Sequence, residues 1–113
     1  MIRSFDDIDK NEMRGMVRRV DSLGRILVPM EFRKELGLEK DVKIEIEVLR
    51  DGMLIQAAQH AAGNASQVAA RRIDNLGRVN IPVAARRALG ITYHDELEMF
   101  LLRSGMFIRK KVA

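Results

Sequence analysis

Cysteine and tryptophan are missing from the 113 residues, proline occurs twice, and the aromatics amount to four Phe and one Tyr. Without cysteine there are no disulfides, no thiolate metal sites and no cysteine nucleophile. So few aromatics argue against a stacking platform for single strands. No apolar run approaches the roughly 20 residues that cross a bilayer. The N-terminus, Met1-Ile2-Arg3-Ser4-Phe5-Asp6-Asp7, carries early acids and no apolar stretch, so no secretory signal is expected. A cytoplasmic protein without membrane contact is the resulting expectation. Glycine-rich phosphate loops and nucleophile–base pairs are also lacking, so no enzyme is expected. His60 and His94 stand apart from any ligand cluster, which leaves no metal site, and nothing in the sequence asks for a cofactor.

What is present in quantity is apolar residues and positive charge. The hydrophobic fraction is 47%, the formal net charge +4 and the sequence pI about 9.9. An anionic partner is compatible with that balance but not required by it. The distribution is more telling. Residues 14–38 contain Arg14, Arg18, Arg19, Arg25, Arg33 and Lys34 against Asp21, Glu31 and Glu35. Residues 67–91 contain Arg71, Arg72, Arg78, Arg86 and Arg87 against Asp74 alone. Positive charge is thus gathered into two short, matching segments.

The match extends well beyond charge. Shifting the chain by 53 residues aligns 17–58 with 70–111 without a gap. Identical pairs include Arg18/Arg71, Arg19/Arg72, Asp21/Asp74, Gly24/Gly77, Arg25/Arg78, Pro29/Pro82, Arg33/Arg86, Gly37/Gly90 and Gly52/Gly105. An internal repeat decides the architecture before any single element does.

Each copy reads as two short strands, a helix and two more strands. Residues 16–21 and 25–28 are strands separated by Asp21-Ser22-Leu23-Gly24, repeated as Asp74-Asn75-Leu76-Gly77. Asp bonds the backbone ahead of it and Gly accepts positive φ, so both are tight hairpin turns. Pro29 and Pro82 suit helix starts, Gly37 and Gly90 suit helix ends, and the spans between predict helices over Met30–Leu36 and Val83–Leu89. Val42, Ile44, Ile46 and Val48 alternate with polar residues as the buried side of a strand that turns at Arg50-Asp51-Gly52. In the second copy Leu97, Met99 and Leu101 point inward, while Phe100 and Leu102 break the alternation and imply cover on both faces. The seven methionines read as core filling.

Four short strands and one helix expose too much sheet edge to stand alone. The expected fold is therefore mainly β with two short helices, in which two ββαββ repeats intertwine into one pseudo-two-fold barrel. Residues 1–13 form a tail, 14–58 the first repeat, 59–67 a polar linker and 68–113 the second repeat.

The run Val17-Arg18-Arg19-Val20-Asp21-Ser22-Leu23-Gly24-Arg25, continuing through Pro29 and Arg33-Lys34 to Leu36-Gly37, closely resembles the DNA-binding domain of the AbrB/SpoVT transition-state regulators. Residues 70–90 are similar but more diverged, with Ala84-Ala85 for Glu31-Phe32 and Asn80 for Leu27. The resemblance implies a swapped-hairpin barrel and a transcription regulator that grips double-stranded DNA through arginines. The implied contact positions are Arg18, Arg19, Arg25, Arg33 and Lys34, and in the second copy Arg71, Arg72, Arg78, Arg86 and Arg87. It also implies residence on the nucleoid. Two related readings share the barrel: an antitoxin of the MazE type and a self-assembling module like MraZ. The MazE type needs a segment beyond the barrel, and only Lys110-Lys111-Val112-Ala113 follows the last strand, so a toxin partner is not expected.

The same residues can be weighed physically. Arg18 and Arg19 are adjacent on a strand and must point to opposite faces. Arg25 is expected just across the hairpin from them, where like charges repel, so a fold that keeps this repulsion in both copies is expected to offset it with an anion. Arg86 and Arg87 have no acid nearby in sequence, which favours an outside partner. Arginine suits the task because its planar fork binds phosphates and guanine edges bidentately. Asp21 and Asp74 invite a reading as a catalytic carboxylate pair, but each has an arginine beside it and reads better as a turn residue orienting Arg25 or Arg78.

Overall fold

The computed structural model describes residues 15–58 and 68–111. The expected tail, 1–13, and linker, 59–67, lie outside the described residues. Those described form β1 (Gly15–Arg19), β2 (Arg25–Leu27), α1 (Met30–Leu36), β3 (Lys43–Val48), β4 (Met53–Ala57), β5 (Val68–Arg72), β6 (Arg78–Asn80), α2 (Val83–Leu89), β7 (Glu96–Leu101) and β8 (Met106–Lys110). The order ββαββ therefore occurs twice, and both helices occupy the spans expected from their proline starts and glycine ends. Gly37 and Gly90 close them at φ 67, with the Leu38 and Ile91 amides bonded back to the Arg33 and Arg86 carbonyls.

The strands exchange between repeats. A six-stranded antiparallel sheet runs β1-β7-β8-β4-β3-β5, and β2 pairs with β6 in a separate two-stranded ribbon. Thus β1 of the first repeat lies on β7 of the second, and β5 of the second lies on β3 of the first. The registers obey the 53-residue shift. Leu54 faces Phe107 at the centre of β4–β8, Ile26 faces Val79 at the centre of β2–β6, and the pair Val17–Glu98 is matched by Ala70–Glu45. A pseudo-two-fold axis passes through these central pairs.

This is the swapped-hairpin arrangement, with one refinement. The ladder does not run unbroken around a barrel. β1 and β2 share a single backbone bond across their turn, from the Asp21 amide to the Arg25 carbonyl, and Asp74 and Arg78 repeat it. The reason lies at the corner. Val20 exchanges backbone bonds with His94 and Asp95 of the other repeat, which holds β1 to β7 while the chain turns away into β2. The expected pairing of Arg25 across the hairpin from Arg18 and Arg19 is accordingly not formed. Arg25 faces Asn80, Arg18 faces Leu97 and Arg19 faces Glu96.

One core joins both repeats. Ile44, Ile46, Ile55, Leu97, Met99 and Ile108 reach it from the sheet, Ile26 and Val79 from the ribbon, and Phe32 and Ala85 from the helices. On the other sheet face Leu49, Leu54, Leu102 and Phe107 form a second, smaller cluster with Phe100 against it, which explains the broken alternation in β7. The helices contribute unequally, since the equivalent buried positions hold the large Phe32 in one and the small Ala85 in the other. Met30 departs from the core-filling expectation and is 62% exposed.

Phe32→Ala is expected to destabilise the fold by about 3–5 kcal/mol, the usual range for removing a buried phenyl ring. Met30→Ala is expected to stay within about 0.5 kcal/mol. Urea unfolding of the two variants checks both.

Candidate nucleic-acid interface

The turn before each ribbon strand is organised by one carboxylate. Asp21 Oδ1 accepts the amides of Leu23 and Arg25 at 2.9 and 2.8 Å, and its Oδ2 accepts Arg25 Nε at 2.8 Å. Asp74 repeats this with Leu76 and Arg78 at 2.9, 2.8 and 2.7 Å. Partial burial pushes both carboxyls up, but the amide donors and the guanidinium outweigh it, and both sit below their ordinary range. The aspartates are thus ionised turn anchors, and the arginine after each turn is held in place by its own turn.

Gly24 and Gly77 complete the turns at φ 79 and 86. They also leave room. A Cβ on Gly77 would lie 2.5 Å from the Arg33 guanidinium carbon, and one on Gly24 would lie 3.0 Å from that of Arg86. The arginine of each helix therefore packs over the turn of the opposite repeat. Arg33 Nε is bonded to the Val28 carbonyl at 3.0 Å and Arg86 Nε to the Ile81 carbonyl at 3.1 Å. Arg86 also lies 5.4 Å from the Tyr93 ring centre.

The outcome is a four-arginine set around the ribbon. Ile26 and Val79 point into the core, so Arg25, Leu27, Arg78 and Asn80 share the outward face. Arg86 lies over the turn that leads to Arg25, and Arg33 over the turn that leads to Arg78. All four are anchored through Nε, which keeps the two terminal nitrogens of each fork outside the anchoring bond. Lys34 and Arg87 are exposed on the same helices. Exposed apolar residues stand among these charges: Leu23 and Leu76 at the turn tips, Leu27 on the ribbon, and Met30 and Val83 at the helix starts.

The remaining expected positions are placed differently. Arg19 and Arg72 donate through Nη1 to the carbonyls of His94 and Asp41, and Arg19 also meets Glu96 at 3.2 Å. Those acceptors belong to two equivalent residues with positive φ, 69 and 68. Arg18 and Arg71 donate to the carbonyls of the residues just before them and lie half-buried on the core-facing side of edge strands β1 and β5. The orientation of Arg25 and Arg78 by the turn aspartates was legible from the turn motif. The seating of Arg33 and Arg86 over a distant glycine was not, because Arg33 and Gly77 are 44 residues apart in sequence and Gly24 and Arg86 are 62 apart. Among the described residues no group of His, Asp and Glu is arranged to hold a metal, and no helix is long and apolar enough to cross a membrane.

Acidification should weaken this arrangement in a defined direction. A carboxyl whose folded pKa lies below its unfolded value contributes stability above the ordinary aspartate range, about 3.9, and loses it as pH falls further. Asp21→Asn with Asp74→Asn is therefore expected to lower stability at neutral pH and to flatten the acid limb of a pH–stability curve. Gly77→Ala, strained by its positive φ and obstructed by Arg33, is expected to cost about 1–2 kcal/mol or more. Thermal melts from pH 2.5 to 7 measure both effects.

Comparison with known proteins adds the following. Residues 17–61 match the family described as antidote-toxin recognition MazE, bacterial antitoxin. The chain is 46% identical over 41 residues to stage V sporulation protein T of Bacillus subtilis (strain 168), which is 36% of this chain and 23% of that protein. It is 47% identical over 34 residues to the transition state regulatory protein AbrB of the same organism, 30% of this chain and 35% of that one. The aligned stretch is thus about a quarter to a third of either relative. In fold the chain is similar to the solution structure of PHS018 from Pyrococcus horikoshii, with a TM-score of 0.52 at 24% identity, covering 88% of this chain and 95% of that one. Residues 17–61 are accordingly similar to domains of the MazE type, and part of the chain is similar to stage V sporulation protein T and to AbrB.

Proposed function

We propose that the protein is a DNA-binding transcription regulator of the AbrB type, and that it seats the β2–β6 ribbon and the two helix arginines on duplex DNA. The observation that carries this reading is the set of four guanidinium groups, Arg25, Arg78, Arg33 and Arg86, each fixed through Nε around one outward face. Anchoring restricts the side chain before a ligand arrives, so less entropy is lost on binding. A two-stranded ribbon is narrow enough for the major groove, where arginine forks meet guanine O6 and N7, and the same forks bind phosphate oxygens. Lys34 and Arg87 extend the basic surface along the helices. Arg18, Arg19, Arg71 and Arg72 contribute at its margins, with Arg19 and Arg72 exchanging a carbonyl for a phosphate when they do. The similarity to AbrB, a transition state regulatory protein, supports the same reading. In the proposed reading the protein has no catalytic role and no cofactor and acts on the nucleoid. The whole chain acts as one unit in this reading, with 14–58 and 68–113 as equivalent halves joined by 59–67.

A second reading, an antitoxin, is favoured by the description of the family that residues 17–61 match. It calls for a tight complex with a toxin and protection of cells from it, and a growth-rescue assay with the toxin would detect that. A MraZ-like assembling module would instead give a ring or larger oligomer by light scattering.

The regulator reading is tested by titrating a labelled duplex at several salt concentrations. If about six phosphates are neutralised, the log–log slope of affinity against salt is expected near −5. A slope near zero overturns the proposal. Arg25→Lys with Arg78→Lys keeps the charge and removes the fork. That double variant is expected to retain weak binding with a similar slope and to lose discrimination among sequences by roughly tenfold or more.

A further inference from the structure

The outward face of the ribbon is symmetric in its charges and asymmetric between them. Arg25 and Arg78 are equivalent under the 53-residue shift, and each faces a residue of the other strand: Asn80 opposite Arg25, Leu27 opposite Arg78. Leu27 and Asn80 are themselves the two equivalent positions. Their inward neighbours, Ile26 and Val79, are both apolar and both buried, so the pseudo-symmetry is kept on the core side and broken on the outer side. Packing does not dictate the difference. Leu27 is 40% exposed, and Asn80 is exposed with one long contact, Nδ2 at 3.4 Å from the Leu23 carbonyl.

The two side chains differ in what they can recognise. A carboxamide offers an acceptor and a donor side by side, the complement of adenine N6 and N7 in the major groove. An isobutyl group offers neither and suits the thymine methyl. Two identical chains related by a two-fold axis must present the same surface twice. Here both halves belong to one chain, so each is free to differ.

Resting on the DNA-binding reading above, we infer that Leu27 and Asn80 are specificity-determining residues, and that the chain reads a duplex site with two unlike halves. The Asn80 half selects adenine and the Leu27 half selects a thymine methyl, between two guanidinium contacts common to both.

The experiment is selection of bound duplexes from a random pool with the full chain, followed by titration of the selected site and of the two palindromes made by duplicating either half. The native site is expected to bind roughly five- to a hundredfold tighter than at least one palindrome, the span of one good base contact. Asn80→Leu is expected to move the preference to the palindrome of the Leu27 half, and Leu27→Asn to that of the Asn80 half, with thermal midpoints unchanged. A palindromic selected motif, or no enriched motif, overturns this inference while leaving the salt-dependent binding intact. So does a preference unmoved by both substitutions. Absence of binding to any duplex overturns the regulator reading and this inference with it.

Discussion

Everything on the basic face depends on a carboxylate that bonds its own turn. Asp21 and Asp74 each gather two amides and one guanidinium nitrogen within four residues of chain. An ionised acceptor makes stronger hydrogen bonds than a neutral one, and three of them leave the turn little freedom. The turn then presents a glycine without a Cβ, and on that glycine the arginine of the other repeat's helix comes to rest. One acid therefore positions two arginines, one of its own repeat and one of its partner repeat. The carboxylate engages Arg25 and Arg78 at Nε, which keeps both terminal nitrogens of each fork outside that bond.

The exchange of strands between repeats is the second requirement. Neither ββαββ unit has a complete sheet. β1 and β5 each find their ladder in the other repeat, and so do the two ribbon strands. The core residues of both units touch in one cluster, so the burial that stabilises one half is shared with the other. An intertwined fold of this kind has its pseudo-two-fold axis through the ribbon, and the ribbon is also where the arginines gather. Symmetry and charge concentration are thus consequences of one topology. The points where symmetry fails, Phe32 against Ala85 inside and Leu27 against Asn80 outside, have different meanings. The first is a difference of volume in a packed interior, while the second alters chemistry on an open surface.

Much of this was legible in the sequence. The repeat, the helix boundaries, the turn aspartates and the inward residues of β3 and β7 are local patterns with local causes: proline at a helix start, glycine at positive φ, alternation on a pleated strand. Pairing between strands is another matter. The short spacing of β1 and β2 suggests a hairpin ladder, and from that ladder came the expectation that Arg25 faces Arg18 and Arg19. In the molecule β1 is captured by β7 and β2 by β6, and that repulsion does not arise. Residues 18 and 19 point to opposite sides as any strand neighbours must, yet only the tertiary contacts reveal that Arg19 and Arg72 are turned onto carbonyls of residues with positive φ.

By itself, then, the amino-acid order determined the unit, its duplication, its turn chemistry and which side chains are apolar enough to form a core. These depend on conformational preferences and spacings within a few residues. The tertiary structure alone decided which copy supplies each strand's partner, which four arginines meet around the ribbon and which are used internally. Those outcomes depend on backbone and side-chain contacts made across most of the chain's length, and such contacts leave no periodic trace in the sequence.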